Sequence, residues 1–278
     1  MDDELQRQAR SFGAVADVYD RGRPSFPREA AEWLVGSNPV TVLELGSGTG
    51  KLTEHLVALG HDVHATDPDE PMLDVLRTRL PDTRTSVAGA EDLSSVPDRS
   101  VDVVVAAQCF HWFDHDRALP EIARVLKPGG QLALVWNSTD ERIPWVRRLG
   151  RILESQDQQT DENAKPLVLS GLFGFVEEAT FPHWQEINRE TIIDLAMSRS
   201  NIATLDPDAR AAKLDEVRAF YADFGRGMDG MQIPYDARCF KSVVNDRADG
   251  DGDDAETGQS ADEPPSDGPD DLLLIDFR

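Results

Sequence analysis

The sequence is poor in cysteine, in basic residues and in long apolar runs, and each shortage excludes a class of protein. Its 278 residues include only two cysteines, Cys109 and Cys239, too few for a disulfide framework or a four-cysteine zinc site. No apolar run approaches the ~20 residues of a membrane span, and residues 1–4 are acidic where a signal peptide is basic. We therefore expect a cytoplasmic protein that does not enter a membrane.

Acidic residues outnumber basic ones by 52 to 28, which gives a net charge of −24. Such a protein repels a phosphate backbone, so nucleic acid is not an expected partner. Residues 245–278 hold 12 acidic and two basic residues together with several glycines and prolines. This composition predicts a disordered acidic tail, because it cannot bury enough apolar surface to offset the entropy of ordering. For the apolar segment Leu272–Phe277 at its end, docking on a protein partner, docking on the protein's own surface and fraying remain open.

Apolar runs alternate with amphipathic stretches before the tail, a pattern typical of an α/β fold with a parallel sheet. The predicted strands are Val40–Leu45, Asp62–Thr66, Thr85–Ala88, Val101–Ala106, Gln131–Trp136, Phe175–Phe181 and Asp236–Val244. Between the last two strands, residues 188–228 have helical spacing and predict a helical insertion that covers the active site. We divide the chain into an N-terminal lid segment (1–36), a main domain (37–244) and the tail (245–278).

A glycine-rich loop follows the first predicted strand, in the sequence Glu44-Leu45-Gly46-Ser47-Gly48-Thr49-Gly50. Its spacing is not that of a dinucleotide fingerprint, whose third glycine would fall at Lys51. It is not a P-loop either, because Leu45 and Leu52 occupy positions that need glycine and a hydroxyl residue. What the loop predicts is a ligand lying against backbone amides at the start of a helix.

These residues resemble the class I S-adenosylmethionine-dependent methyltransferases with a type 11 domain, in the branch of the ubiquinone/menaquinone-type and trans-aconitate-type enzymes. The resemblance rests on the glycine loop, on Asp67 after the second strand, on the spacing from Asp67 to Met72, and on Ala88–Leu93. It implies a Rossmann-like fold with a seven-stranded, mainly parallel sheet and helices on both faces. For Asp67 it implies a contact with the ribose hydroxyls, and an N-cap is the alternative role. The implied S-adenosylmethionine contacts are Tyr19, Glu44, Gly46, Ser47, Gly48, Gly50, Asp67, Met72, Ala90, Glu91 and Gln108.

The methyl acceptor is expected at the ends of the fourth and fifth strands, where ligands bind open parallel sheets. His111 is the only histidine of the loop 108–113 and is a candidate base, with packing in the pocket wall as the alternative. Residues expected to line the acceptor pocket are Arg23, Phe110, His111, Trp112, Trp136 and Asn137. No metal is expected, because Gln108 and Asn137 stand where metal-dependent O-methyltransferases carry acids.

The resemblance implies methyl transfer from S-adenosylmethionine to a small molecule, at a carboxyl oxygen or at an activated carbon. A carboxylate needs no base, whereas a carbon acid must lose a proton at or before attack. A catalytically silent S-adenosylmethionine-binding module that acts through its acidic tail is the alternative. An intact Gly48 and Asp67 favour the enzyme.

Overall fold

The computed structural model describes residues 16–154, 160–225 and 230–245. The predicted acidic tail lies outside these residues, apart from Asn245. Within the described ranges, no helix is long and apolar enough to cross a membrane.

One seven-stranded sheet organises the chain, in the order β3-β2-β1-β4-β5-β7-β6. The strands are β1 (Thr41–Leu45), β2 (Asp62–Asp67), β3 (Arg84–Val87), β4 (Val101–Ala107), β5 (Leu126–Thr139), β6 (Phe173–Ile187) and β7 (Met231–Val244). Strands β1 to β5 are parallel, and β7 runs antiparallel to both of its neighbours. The mainly parallel seven-stranded sheet expected from the sequence is confirmed.

Helices connect the strands and cover both faces of the sheet. They are α1 (Ala16–Gly22), α2 (Arg28–Val35), α3 (Thr53–Ala58), α4 (Glu70–Arg79), α5 (His115–Val125), α6 (Pro144–Leu153), α7 (Thr160–Leu169), α8 (Thr191–Met197), α9 (Ser200–Ala203) and α10 (Pro207–Phe224). Alternate residues of β1 enter different apolar clusters, Leu43 one and Val42 the other. Because both faces are buried, the central strands read as continuous apolar runs rather than as an alternation.

The structure corrects the predicted length of three strands. β5 begins at Leu126, so it includes residues 127–130, which precede the predicted strand Gln131–Trp136. Val101 pairs with Leu126 and Val103 already pairs with Gln131, so the extra residues form a bulge within the strand. β6 and β7 also extend beyond the predicted runs, to Ile187 and back to Met231. Their added ends do not read as apolar runs, because only one face of each is buried.

The added ends of β6 and β7 carry a helical layer formed by α8, α9 and α10, which follows β6 as the sequence predicts. This layer packs with α6 and the strand ends around a third apolar cluster that includes Leu149, Leu195 and Phe220. Helix α1 lies directly on α8. A Cβ atom placed on Gly22 would approach the carbonyl carbon of Asp194 to 2.4 Å, so only glycine allows this contact. The N-terminal helix therefore adjoins the insertion.

Candidate active site

The glycine loop leaves β1 and leads to α3 with its backbone in the left-handed region. Gly46, Gly48 and Gly50 have φ values of +65°, +55° and +87°. A Cβ on Gly46 would lie 2.6 Å from the Sγ atom of Cys109, and one on Gly50 would lie 2.9 Å from Cγ of Leu76. Glycine is therefore required at these positions both for backbone conformation and for space.

Asp67 ends β2 and joins it to the glycine loop. Its two carboxylate oxygens accept the backbone N–H groups of Gly48 and Asp69, each at 2.9 Å. Burial raises the pKa of Asp67 to about 6, against the two amide hydrogen bonds that favour the charged form. The N-cap residue of α4 is Asp69, not Asp67. Each oxygen of a carboxylate can accept a further hydrogen bond, so the group can still receive a ribose hydroxyl.

Glu44 is a buried acid at the end of β1, with 1% of its surface exposed. Its Oε2 atom accepts a hydrogen bond of 2.6 Å from the Thr53 hydroxyl. Its Oε1 atom is buried and has no hydrogen-bond partner among the described residues. Burial raises the pKa of Glu44 to about 8, so the unliganded site favours the protonated acid near neutral pH.

An open cavity of about 440 Å³ lies between the glycine loop and residues 19–26, which we name the N-terminal cover. Its wall consists of Tyr19, Arg23, Pro24, Phe26, Glu44, Gly46, Ser47, Gly48, Thr49, Lys51, Leu52, Ala107 and Gln108. Seven of the residues expected at the site therefore share one wall: Tyr19, Arg23, Glu44, Gly46, Ser47, Gly48 and Gln108. Gln108 has a φ of +63°, a strained conformation for a residue with a side chain, and its N–H donates to the carbonyl of Val135.

Other residues expected to contact the cofactor lie beside this wall rather than in it. A Cβ on Gly48 would stand 3.4 Å from Cε of Met72, which places the thioether beside the loop. Ala90 is 5% exposed and belongs to a core cluster. Glu91 accepts the backbone N–H of Asp114 at 2.9 Å and so connects the loop after β3 to the start of α5. The sequence alone does not reveal this second role of Glu91.

Two of the aromatic residues expected to line the acceptor pocket are core side chains. Phe110 is fully buried and packs against Phe113, with ring centroids 5.6 Å apart. Trp136 is 4% exposed, and its indole N–H donates to Nδ1 of His111 at 3.5 Å. His111 is exposed, and its ring lies 4.8 Å from that of Trp112. His111 is thus the exposed member of this loop, whereas Trp112 is half-buried, as are Gln108, Cys109 and Phe113.

Asn137 is buried, and its side chain joins three parts of the chain. Its Nδ2 atom donates to the carbonyl of Ser25 at 3.0 Å, and its Oδ1 atom accepts from Nε2 of His183 at 2.9 Å. Burial lowers the pKa of His183, which favours the neutral ring. Gln185, two residues further along β6, donates to the carbonyl of Gly22 at 2.8 Å. Sequence reasoning missed His183 and Gln185, although polar residues at alternate positions of a strand indicate one shared face.

The thiols and the acidic groups of the site give no sign of a metal centre. Among the described residues, no group of three or more histidine, cysteine, aspartate or glutamate side chains could hold a metal ion. Burial raises the pKa of the Cys109 thiol well above its usual value and that of Cys239 to about 12. Cys109 donates to the carbonyl of Leu45 at 3.1 Å. Both cysteines are free thiols in the protonated form.

The sheet order and the glycine loop define the class I methyltransferase fold. A family model described as a methyltransferase domain matches residues 43–134. An uncharacterized methyltransferase of Mycobacterium tuberculosis is 42% identical over 236 residues, which cover 84% of this chain and 96% of the relative. A putative type II methyltransferase from Anaeromyxobacter dehalogenans superposes with a TM-score of 0.60 at 25% identity, over 80% of this chain and 97% of that one.

The chain belongs to the methyltransferase family and is a class I S-adenosylmethionine-dependent methyltransferase. A partial relative is the malonyl-[acyl-carrier protein] O-methyltransferase of Methylococcus capsulatus. It is 39% identical over 134 residues, which cover 44% of this chain and 48% of that protein.

The residues present fit S-adenosylmethionine. Glu44 lines the cavity and has one carboxylate oxygen without a partner among the described residues, so its charged form suits a cationic group such as the cofactor's ammonium. Two hydroxyl oxygens of the same wall, on Ser47 and Thr49, are buried and also have no hydrogen-bond partner among the described residues. Gly46 and Gly48 of the glycine loop line the same cavity, so a ligand there can lie against their backbone.

Proposed function

We propose that this methyltransferase methylates a carboxyl oxygen of a small acidic molecule, with S-adenosylmethionine bound in the cavity under the N-terminal cover. The observation that supports an acidic acceptor is Arg23 in the cavity wall. One nitrogen of its guanidinium donates to the carbonyl of Ser198 at 3.2 Å, and its Cζ atom lies 5.3 Å from the centre of the Tyr19 ring. A guanidinium held by such contacts presents a planar group of donors that suits a carboxylate.

A second arginine follows Ser198, the residue that Arg23 contacts. Arg199 follows Ser198, is 7% exposed and precedes α9. The insertion thus carries a buried arginine next in sequence to the residue that Arg23 contacts. The name of the partial relative, an O-methyltransferase of malonyl-[acyl-carrier protein], supports a carboxyl oxygen as the acceptor atom.

Methylation of a carboxylate depends on how the acceptor is positioned and not on proton transfer. The bound cofactor supplies a methyl group attached to a sulfonium, and the neutral thioether that remains is a good leaving group. A carboxylate acceptor is already deprotonated at neutral pH, so this chain's residues must hold it in line and exclude water. Arg23 would fix the carboxylate, while Glu44, Asp67 and the glycine loop would hold the methyl donor. Tyr19 and Phe26 of the N-terminal cover would shield the site from solvent.

A carbon acceptor is the second candidate, with His111 as the base. His111 is exposed beside the ends of β4 and β5, which favours access to a substrate. However, Nδ1 accepts the Trp136 N–H, so the neutral ring carries its own proton on Nε2. In this tautomer the ring nitrogen at Nε2 donates a hydrogen bond instead of accepting a proton. The arrangement therefore favours the carboxylate acceptor, to which such a donor can also bind.

The test compares wild-type protein with Arg23→Gln, and with Arg21→Gln as the matched control. Arg21 lies two residues away, has an exposed side chain and pairs with Asp194 at 2.9 Å. Calorimetry with S-adenosylhomocysteine measures the cofactor site, and release of S-adenosylhomocysteine measures turnover with a panel of small carboxylic acids and their methyl esters. We expect turnover with acids only, and a KM at least tenfold higher for Arg23→Gln with cofactor affinity nearly unchanged.

Two results would contradict parts of this proposal. Turnover with the methyl esters would exclude the carboxyl oxygen as the acceptor atom. If Arg23→Gln instead weakens S-adenosylhomocysteine binding and leaves the KM for the acceptor unchanged, Arg23 binds the carboxylate of the cofactor.

A further inference from the structure

One face of α4 follows the glycine loop along its length. Met72 lies beside Gly48, and Leu76 lies beside Gly50. One turn further on, the Nη1 atom of Arg79 donates to the carbonyl of Thr49 at 3.3 Å. Positions 72, 76 and 79 share a helix face, so a single element supports the loop at three points.

Arg79 also pairs with two acids from other elements. Its Nη1 atom lies 2.7 Å from Oδ1 of Asp20 in α1, and its Nη2 atom bonds to Oε2 of Glu54 in α3. The same oxygen of Asp20 lies 3.6 Å from Nζ of Lys51. Asp20 therefore sits between two cations that belong to the cofactor side of the cavity. These side chains are only 17% to 32% exposed, so solvent screens them less than it screens a surface pair.

A neighbouring contact joins the other end of the N-terminal cover to the same cluster. The hydroxyl of Ser25 donates to Oε1 of Glu54 at 3.2 Å and lies 3.0 Å from Nε2 of His55. Glu54 thus accepts from both Ser25 and Arg79 through different oxygens. The cover is held to α3 and α4 at residues 20 and 25, which flank Arg23 and Pro24, two of the four cover residues in the cavity wall.

The side chains of the Arg79 ion pairs lie outside the cavity wall, so their role differs from that of the cofactor contacts. Asp20, Glu54 and Arg79 do not belong to the cavity wall, whereas their neighbours Tyr19 and Lys51 do. A change at Asp20 or Arg79 therefore alters how the cover is held without removing a group from the wall.

We propose that the ion pairs of Arg79 with Asp20 and Glu54 position the N-terminal cover over the bound cofactor and set the rate at which it leaves. This inference rests on the proposed cofactor position in the cavity. Arg79 acts as a positioning residue, because its planar group of donors reaches the loop, α1 and α3 together. A lysine at this position has one ammonium and cannot make all three contacts with the same geometry.

The experiment measures association and dissociation rates of S-adenosylhomocysteine for the full chain and for Asp20→Asn, Arg79→Gln, Arg79→Lys and the double variant Asp20→Asn with Arg79→Gln. Arg77→Gln is the matched control, since Arg77 lies on the same helix and its ion pairs with Asp74 and Glu70 stay within that helix. We expect dissociation to accelerate about fivefold in Asp20→Asn and more in Arg79→Gln, with association nearly unchanged, which is the effect of a partly buried ion pair.

Three further results are expected. The effects of the two single changes do not add in the double variant, because both changes break the Asp20–Arg79 pair, and only the longer contact between Asp20 and Lys51 is lost in addition. Raising sodium chloride from low to high concentration accelerates dissociation from the wild type but hardly from the double variant. Arg79→Lys lies between wild type and Arg79→Gln, and Arg77→Gln stays within twofold of wild type.

The outcomes that oppose the inference are distinct from those that oppose the proposed function. If the wild type does not bind S-adenosylhomocysteine, the cofactor position itself is wrong. If the wild type binds but S-adenosylhomocysteine leaves Asp20→Asn and Arg79→Gln at the wild-type rate, the ion pairs do not hold the cover. The same conclusion follows if the effects of the two changes add in the double variant. If circular dichroism shows that Arg79→Gln folds poorly, the dissociation rates of S-adenosylhomocysteine from Asp20→Asn and Arg79→Lys test the inference without it.

Discussion

Glu44→Gln offers a direct test of the buried acid at the centre of the site. Glutamine has nearly the same shape, and its amide oxygen can still accept the hydrogen bond from Thr53. The change removes the capacity to ionise and places an amide NH2 at the other oxygen's position, an effect that does not depend on pH. Glu44 is 1% exposed, and burial raises its pKa from 4.5 to about 8. The wild-type and variant proteins should therefore differ in how their stability depends on pH.

The direction in which stability changes with pH follows from proton binding. The folded protein binds the Glu44 proton more tightly than the unfolded chain, so its stabilising effect is complete below pH 4.5 and lost as the pH rises to about 8. Over this window, the unfolding free energy of the wild type should fall relative to Glu44→Gln by about 1.4 kcal/mol per pH unit. The total loss is about 5 kcal/mol at most. In a protein of this size, each pH unit corresponds to a relative Tm shift of roughly 3 to 5 °C.

The assay is thermal unfolding of the unliganded proteins between pH 5 and pH 9, followed by circular dichroism. Asp67 also has a raised pKa, and both proteins contain it, so its own titration largely cancels in the difference, apart from its charge interaction with Glu44. Glu70→Gln is the control, because its side chain is 62% exposed. A Tm difference between wild type and Glu44→Gln that stays constant with pH would refute the reasoning, since Glu44 would then ionise as an exposed glutamate does.

Three further predictions concern the same site. Binding of S-adenosylhomocysteine at pH 7 should release a proton in the wild type and not in Glu44→Gln, measured by calorimetry in buffers of different ionisation enthalpy, because a cation beside Glu44 favours its charged form. Asp67→Ala should weaken that binding by roughly 1.5 to 3 kcal/mol in the same titration, the scale of a hydrogen bond to a charged group, and unchanged affinity would exclude the ribose contact. Gly46→Ala should lower the unfolding free energy by about 1 to 3 kcal/mol more than Gly129→Ala in urea unfolding. Both glycines have positive φ, but only at Gly46 would the added Cβ collide, with Cys109, so equal losses would show that the loop can shift.

The proximity of the glycine loop, Asp67 and Met72 could be predicted from the sequence because its determinants are local. The glycine loop and Asp67 follow neighbouring parallel strands, and parallel strands bring their carboxyl ends to one edge of the sheet. Spacing along the chain then fixes proximity in space. The same reasoning places Met72, which comes one turn into the helix after Asp67.

The roles of Asn137 and Glu91 could not be found in this way, because their partners are distant in sequence. Asn137 bonds to Ser25 and His183, which lie 112 and 46 residues away. Glu91 caps an amide 23 residues further on. A polar residue at the end of a strand is compatible with ligand binding and with bridging, and only the packing of the other segments distinguishes the two.

The division between local and distant determinants also explains why the donor of the methyl group is easier to identify than its acceptor. The family model covers residues 43–134, which include the glycine loop and Asp67 but neither Arg23 nor His183. In the proposed arrangement the acceptor side is formed by the N-terminal cover and by the helical layer between β6 and β7, and these two segments approach each other at Gly22 and Asp194. A difference in the helical layer can alter the acceptor pocket without changing a residue of the glycine loop or of the cavity wall. Knowledge of the acceptor must therefore come from variants of these two segments rather than from the glycine loop.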